Sequence, residues 1–236
     1  LMEHNEEWAE RYSSTQYSET NQRPLGFVKG DIPIKLAEQS CARLALAEFL
    51  PFALKNTKVE LIYSSNEHGR TLSNLYRHCA VAKHTIMLME ILQTGATIGM
   101  FATDTWQSSR NVYGDGGCML FRLSPDPACY HWSNSDELER SDSNKLISEV
   151  LRSQFMISKA NFIAMGSNED GLNGLRLNED LTIGSSARAC GFNNEPLAGE
   201  EYPDFDIGLI EVYRFVREID GKPVDGEEDV WKGMFD

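Results

Sequence analysis

The run from Asp206 to Val216 constrains this chain more than any other stretch, because it is apolar on both faces. Ile207, Leu209, Glu211, Tyr213 and Phe215 alternate with Gly208, Ile210, Val212, Arg214 and Val216. A strand with one wet face would alternate apolar with polar, so this one belongs in the middle of a sheet with layers above and below. Thr85 to Leu92 and Ala96 to Thr103 form a second signal. They are two β-rich runs joined by Gln93-Thr94-Gly95, a hairpin connection in which Gly95 can supply a positive φ. Further short runs follow the same pattern: Val59 to Tyr63, Cys118 to Leu123, Cys129 to Trp132, Gln154 to Ile157, Asn161 to Met165 and Gly174 to Leu177.

Helical spacing occurs twice. Between Ile34 and Leu50, residues Ala37, Cys41, Leu44, Ala45 and Glu48 share one face, and Pro51 stops the helix. Thr71 is placed to cap a second helix whose stripe is Leu72, Leu75, Tyr76 and Cys79. Many short strands with two helices predict an α+β domain built around antiparallel sheets. At 236 residues, 41% of them hydrophobic, the chain can bury one sizeable core. The expected division is an N-terminal arm over 1–33, a single domain over 34–217 and an acidic extension over 218–236, where acids from Glu227 onward could start a short helix. The chain opens on Leu1, and the expectation is that it is a fragment of something longer.

Charge excludes some partners. The net charge is −14 with Lys and Arg scattered singly, so no basic surface exists for nucleic acid or anionic lipid. Residues 195–236 carry 13 Asp or Glu against 4 Lys or Arg, which concentrates the acid at the C-terminal end as a solvated tail or a contact for a basic partner. No apolar run is long enough to span a bilayer, and no signal-peptide pattern is visible. Five widely spaced cysteines without a CxxC pair, and no Asn-x-Ser/Thr acceptor, predict a reducing cytosolic compartment.

Chemistry-bearing motifs are sparse. The chain has no GxSxG, HExxH, P-loop or GxGxxG. Its five histidines show no zinc-ligand spacing. Asp220-Gly-Lys-Pro-Val-Asp-Gly226 fails as a calcium loop, because Lys222 and Val224 stand where oxygen ligands are needed. No metal and no cofactor are expected. Two enzymatic readings remain. Glu179 and Asp180, with Ser185, Ser186 and Arg188 nearby, could act as acid and base or hold a cation. Against that, Asn178, Glu179 and Asp180 could simply accept backbone N–H groups in a turn, and adjacent side chains on extended chain point apart. Cys190, close to Arg188, is the one candidate redox thiol.

The segment Gly171-Leu-Asn-Gly-Leu-Arg-Leu-Asn-Glu-Asp-Leu-Thr-Ile-Gly-Ser-Ser-Ala-Arg-Ala-Cys-Gly-Phe-Asn-Asn-Glu-Pro-Leu197 closely resembles the signature of the TLDc domain family. Ile98-Gly-Met-Phe101, Trp106 and Tyr113-Gly-Asp-Gly-Gly-Cys-Met-Leu-Phe121 resemble the family's "FGAF" and "YGTGECFLF" segments. Leu61-Ile-Tyr-Ser-Ser, Tyr130-His-Trp132 and Ile210-Glu-Val-Tyr-Arg-Phe215 extend the likeness over roughly residues 35 to 217. Two segments depart from the pattern. The family's "GGG" is Gly166-Ser-Asn-Glu-Asp-Gly171 here, and its "EVWGF" is Glu211-Val-Tyr-Arg-Phe215.

The resemblance implies a two-sheet antiparallel β-sandwich flanked by helices. It also implies a cytoplasmic binding and regulatory role: contact with soluble-sector subunits of the V-ATPase, recruitment through that pump to endolysosomal or vacuolar membranes, and a part in oxidative-stress resistance. The loops over 166–174 and 184–199, rich in Gly, Asn and Ser, are the expected recognition surface. Its expected contact residues are Asn178, Glu179, Asp180, Ser185, Ser186, Arg188, Asn193 and Asn194.

Overall fold

A computed structural model of the chain describes residues 26–27, 35–36, 40–54, 57–133, 149–216, 218–219 and 222–223. The expected C-terminal helix and most of the N-terminal arm lie outside them. Strands β1 (Gly26–Phe27), β2 (Lys58–Ser64), β3 (Thr85–Ile91), β4 (Thr97–Ala102), β5 (Met119–Ser124), β6 (Ala128–His131), β7 (Met156–Ser158), β8 (Phe162–Met165), β9 (Leu175–Asn178), β10 (Ile183–Ser185) and β11 (Asp204–Val216) form one sheet. A separate two-stranded ladder pairs β12 (Glu218–Ile219) with β13 (Lys222–Pro223). The helices are α1 (Ser40–Phe49), α2 (Ser65–His68) and α3 (Leu72–Cys79), with a 3-10 turn at Phe52–Leu54.

The strand order is β6-β5-β4-β3-β11-β10-β9-β8-β7, and β2 joins β11 off this path with β1 beside it. All of these pairings are antiparallel except β1 with β2. The single domain of mostly antiparallel strands with a few helices is as expected. The division into two separate sheets is not. β11 is 13 residues long and serves three partners. Residues 207–214 pair with β3, residues 204–206 with β10, and residues 211–216 with β2. One strand long enough to be shared joins both arms into a continuous sheet.

Burial follows from that arrangement. Met87, Met89, Ile98, Met100 and Leu120 from one arm share a cluster with Ile163, Met165, Leu175 and Leu177 from the other. The opposite faces of β3, β4 and β5 place Ile86, Leu88, Phe101, Met119 and Phe121 in a second cluster, which α1 closes with Ala45, Leu46 and Leu50. Within α1 the expected face is met in part: Ala45 is buried as expected, Leu46 and Leu50 are buried beside it, and Glu48 is exposed. Gly99 on β4 shows how closely its neighbouring strands crowd it: a Cβ there would clash with the carbonyl of Met87 on β3 and lie 2.7 Å from the ring of Phe121 on β5.

The second helix is as the sequence predicts. Thr71 Oγ1 accepts from Asn74 N at 3.2 Å, and Leu72, Leu75 and Cys79 are buried. Between β2 and α3 the chain forms α2, too short to show helical periodicity in the sequence.

Candidate recognition surface

The segment after β9 is built by side chains that bond back into the fold. Asn178 Oδ1 accepts from Thr182 N at 2.9 Å and Ile183 N at 3.0 Å, which closes the β9–β10 turn. Leu181 takes a φ of 53° in that turn and is fully buried. Glu179 contributes its carbonyl, accepting from Leu72 N at 3.1 Å, so the turn is docked on the first residue of α3. The side chains of Glu179 and Asp180 are exposed. Arg70 completes this end of the molecule by donating to the carbonyls of Ile207, at 2.9 Å, and Gly208.

Beyond the turn, 183–185 forms β10 rather than part of a loop. Gly184 is required there, since a Cβ would sit 2.4 Å from the ring of Phe205. Ser186 is buried, donating from Oγ to Gly174 O at 2.6 Å and accepting from Leu197 N at 2.9 Å. Asn194 is fully buried. Its Oδ1 accepts from Ala189 N at 3.1 Å, and its Nδ2 donates to Ala187 O at 2.9 Å and Glu195 O at 3.0 Å. One amide thereby holds the loop's curvature.

The neighbouring loop is fastened the same way. Asn168 Oδ1 accepts from Asp170 N and Leu172 N, its Nδ2 reaches Arg188 O at 3.0 Å, and Cys190 N donates to Ser167 O at 2.9 Å. Asn173 donates to Gly166 O at 2.8 Å, and Ala187 N to Asn173 O at 2.9 Å.

The eight expected contact residues therefore divide. Asn178, Ser186 and Asn194 are engaged in internal bonds, and the latter two are buried, so they shape the surface from beneath. Glu179, Asp180, Arg188 and Asn193 are exposed, and Ser185 is half-buried at the end of β10. Leu172, 53% exposed, and Ile183, 49% exposed, add apolar side chains that the sequence reading passed over.

The TLDc domain profile matches residues 35–216, most of the chain. This chain belongs to the TLDc family. TBC1 domain family member 24 of Xenopus tropicalis is 28% identical over 193 residues, covering 66% of this chain and 33% of that protein. Nuclear receptor coactivator 7 of Homo sapiens is 29% identical over 170 residues, covering 72% of this chain and 16% of that protein. Oxidation resistance protein 1 of Eremothecium gossypii is 28% identical over 169 residues, covering 67% of this chain and 64% of that protein. The matched region thus spans a third or less of the first two relatives, where the TLDc segment is one part of a longer protein.

Within this TLDc domain four cysteines, Cys79, Cys118, Cys129 and Cys190, form no disulfide. Cys79 and Cys118 are buried, and burial raises both thiols above their ordinary range. Cys129 is half-buried and pushed up to about 12 by the same cause. Cys190 is partly exposed and makes no disulfide. Among the described residues no group of three or more His, Cys, Asp or Glu is arranged for a metal ion, and no helix is long and apolar enough to cross a membrane.

The buried acid that sequence reading overlooked is Glu211. It is fully buried in β11, where Oε1 accepts from Lys35 N at 3.0 Å and Oε2 from Leu36 N at 2.8 Å. The signal was available, since a carboxylate sits among Leu209, Tyr213 and Phe215 on one apolar face.

Proposed function

We propose that this TLDc domain is a non-enzymatic binding and regulatory module that engages soluble-sector subunits of the V-ATPase and contributes to oxidative-stress resistance. It works in the cytoplasm and reaches endolysosomal or vacuolar membranes through the pump. The observation that carries this reading is the division of labour in the signature segment. Buried Ser186 and Asn194 hold the loop rigid, while Glu179, Asp180, Arg188 and Asn193 are left facing solvent. A rigid loop presenting mixed charge and amide groups binds without a large ordering cost. The relative named oxidation resistance protein 1 supports the stress role.

A regulator of this kind needs different affinity for two states of its partner rather than an active site. The competing reading is an enzyme or redox protein acting through Glu179-Asp180 or Cys190. Affinity capture from lysate that preserves the assembled pump separates the two. The wild-type chain is expected to recover pump subunits, and a chain with Glu179→Ala, Asp180→Ala, Arg188→Ala and Asn193→Gly to recover few while keeping its melting temperature, Gly being suited to the φ of 50° at position 193. Capture that yields no pump subunit overturns the proposal.

A further inference from the structure

Met119, Cys129 and His131 bring two soft sulfur donors and an imidazole onto one face of the β5–β6 ladder, on the side that α1 covers. Met119 and His131 are direct cross-strand partners, and Cys129 lies two residues before His131, hence on the same face. Cys129 Sγ is 3.7 Å from Met119 Sδ and 3.4 Å from His131 Nε2. Burial is graded along the three. Met119 is fully buried in the cluster beneath α1, Cys129 packs half-buried against that cluster, and His131 is exposed. Strand β6 ends the sheet order, so the site lies at an edge that solvent reaches.

We propose that these three side chains form a binding site for monovalent copper. A thiolate and a thioether together select a soft cation, and imidazole completes a low-coordinate set that Cu(I) accepts. Metal–sulfur bonds of about 2.3 Å and metal–nitrogen bonds of about 2.0 Å put donors roughly 3.7 to 4 Å apart in a trigonal plane. The Sγ–Sδ and Sγ–Nε2 separations found here are shorter by about 0.3 Å, so binding would spread the donors by that much. Calcium and magnesium need oxygen donors, which the site lacks. Zinc sites are built from Cys, His and carboxylates, and here the third donor is a thioether. On binding, the Cys129 S–H bond breaks, its proton passes to solvent, and a copper–sulfur bond forms. The copper stays monovalent, so no oxidant or reductant takes part.

The test is an anaerobic titration of the purified full chain with tetrakis(acetonitrile)copper(I) against a chromophoric Cu(I) chelator. The wild type is expected to withhold one equivalent from the chelator. Cys129→Ser is expected to lose it, and His131→Gln and Met119→Leu to weaken it by about tenfold or more each. Met119→Leu conserves volume, and matching melting temperatures separate lost donors from lost packing. A chain carrying both Cys41→Ser and Cys190→Ser should keep the equivalent, which separates this site from those two thiols. X-ray absorption at the copper edge should show sulfur and nitrogen neighbours together. No copper withheld by the wild type, or an undiminished equivalent in Cys129→Ser, overturns the proposal.

Discussion

The hydroxyl of Tyr213 donates to Oε2 of Glu211 at 2.5 Å, deep in the cluster that α1 closes. The same carboxylate accepts the backbone N–H groups of residues 35 and 36, so three donors converge on one buried acid. Charge-assisted bonds of this kind are roughly twice as strong as neutral ones, and they tie the start of the domain to its last long strand. Glu211→Ala leaves all three donors without an acceptor. It should lower unfolding free energy by about 3 kcal/mol or more, with Glu211→Gln intermediate. Urea denaturation checks this, and a loss under about 1 kcal/mol for the alanine variant would contradict it.

The turn of the signature segment offers a contrast between neighbours. Asn178→Ala removes the acceptor for Thr182 N and Ile183 N, two exposed bonds, and should cost about 0.5 to 1.5 kcal/mol. Glu179→Ala with Asp180→Ala alters exposed side chains and should change stability by no more than about 0.5 kcal/mol, while weakening capture of the partner. Thermal melts set beside the capture assay distinguish shape from contact. A double variant that unfolds more readily than Asn178→Ala would reverse the assignment.

Two histidines should impose a pH dependence on stability. His84 is buried, and burial holds it below its ordinary value of 6.5. His78 is lowered by burial and then by His68, whose ring centroid lies 3.9 Å away. A histidine depressed in the folded state binds fewer protons there than in the unfolded chain. Its contribution is therefore complete above pH 6.5 and declines as pH falls through that value toward the folded pKa. Stability between pH 7 and pH 5 should fall less steeply in His84→Asn and His78→Asn than in the parent. Asn suits position 84, where φ is 36°. Identical slopes in parent and variants would show that neither group titrates in this way.

Cys190 separates regulator from chemical antioxidant. A peroxide-reducing thiol passes through sulfenic acid, so Cys190→Ser would abolish cellular protection if the chemistry resided there. For a regulator, the substitution at this partly exposed position should leave protection and melting temperature close to the parent's. Peroxide survival at matched protein levels is the measurement, and loss of protection would support the enzymatic reading.

Much of this protein was written in local pattern. The two apolar faces of 206–216 required a central strand, and β11 is that strand. The Gln93-Thr94-Gly95 connection marked the β3–β4 hairpin, where Gly95 takes a φ of 68°. Thr71 announced the start of α3, because capping needs only an oxygen three residues before an amide. The order of residues in 171–197 was enough to place the family. What the sequence could not decide was which members of near-identical neighbours turn inward. Asn193 and Asn194 are the same residue type side by side, yet one is exposed and the other is fully buried with three hydrogen bonds. Ser185 is half-buried and Ser186 beside it is buried. Burial at these positions is set by carbonyls and amides brought in by the fold, and no local periodicity encodes them. Glu211 makes the same point at longer range, since its partner Leu36 lies 175 residues away. The joining of both arms into one sheet likewise rests on β11 finding β3, β10 and β2 at once, a choice made by pairing across the whole chain.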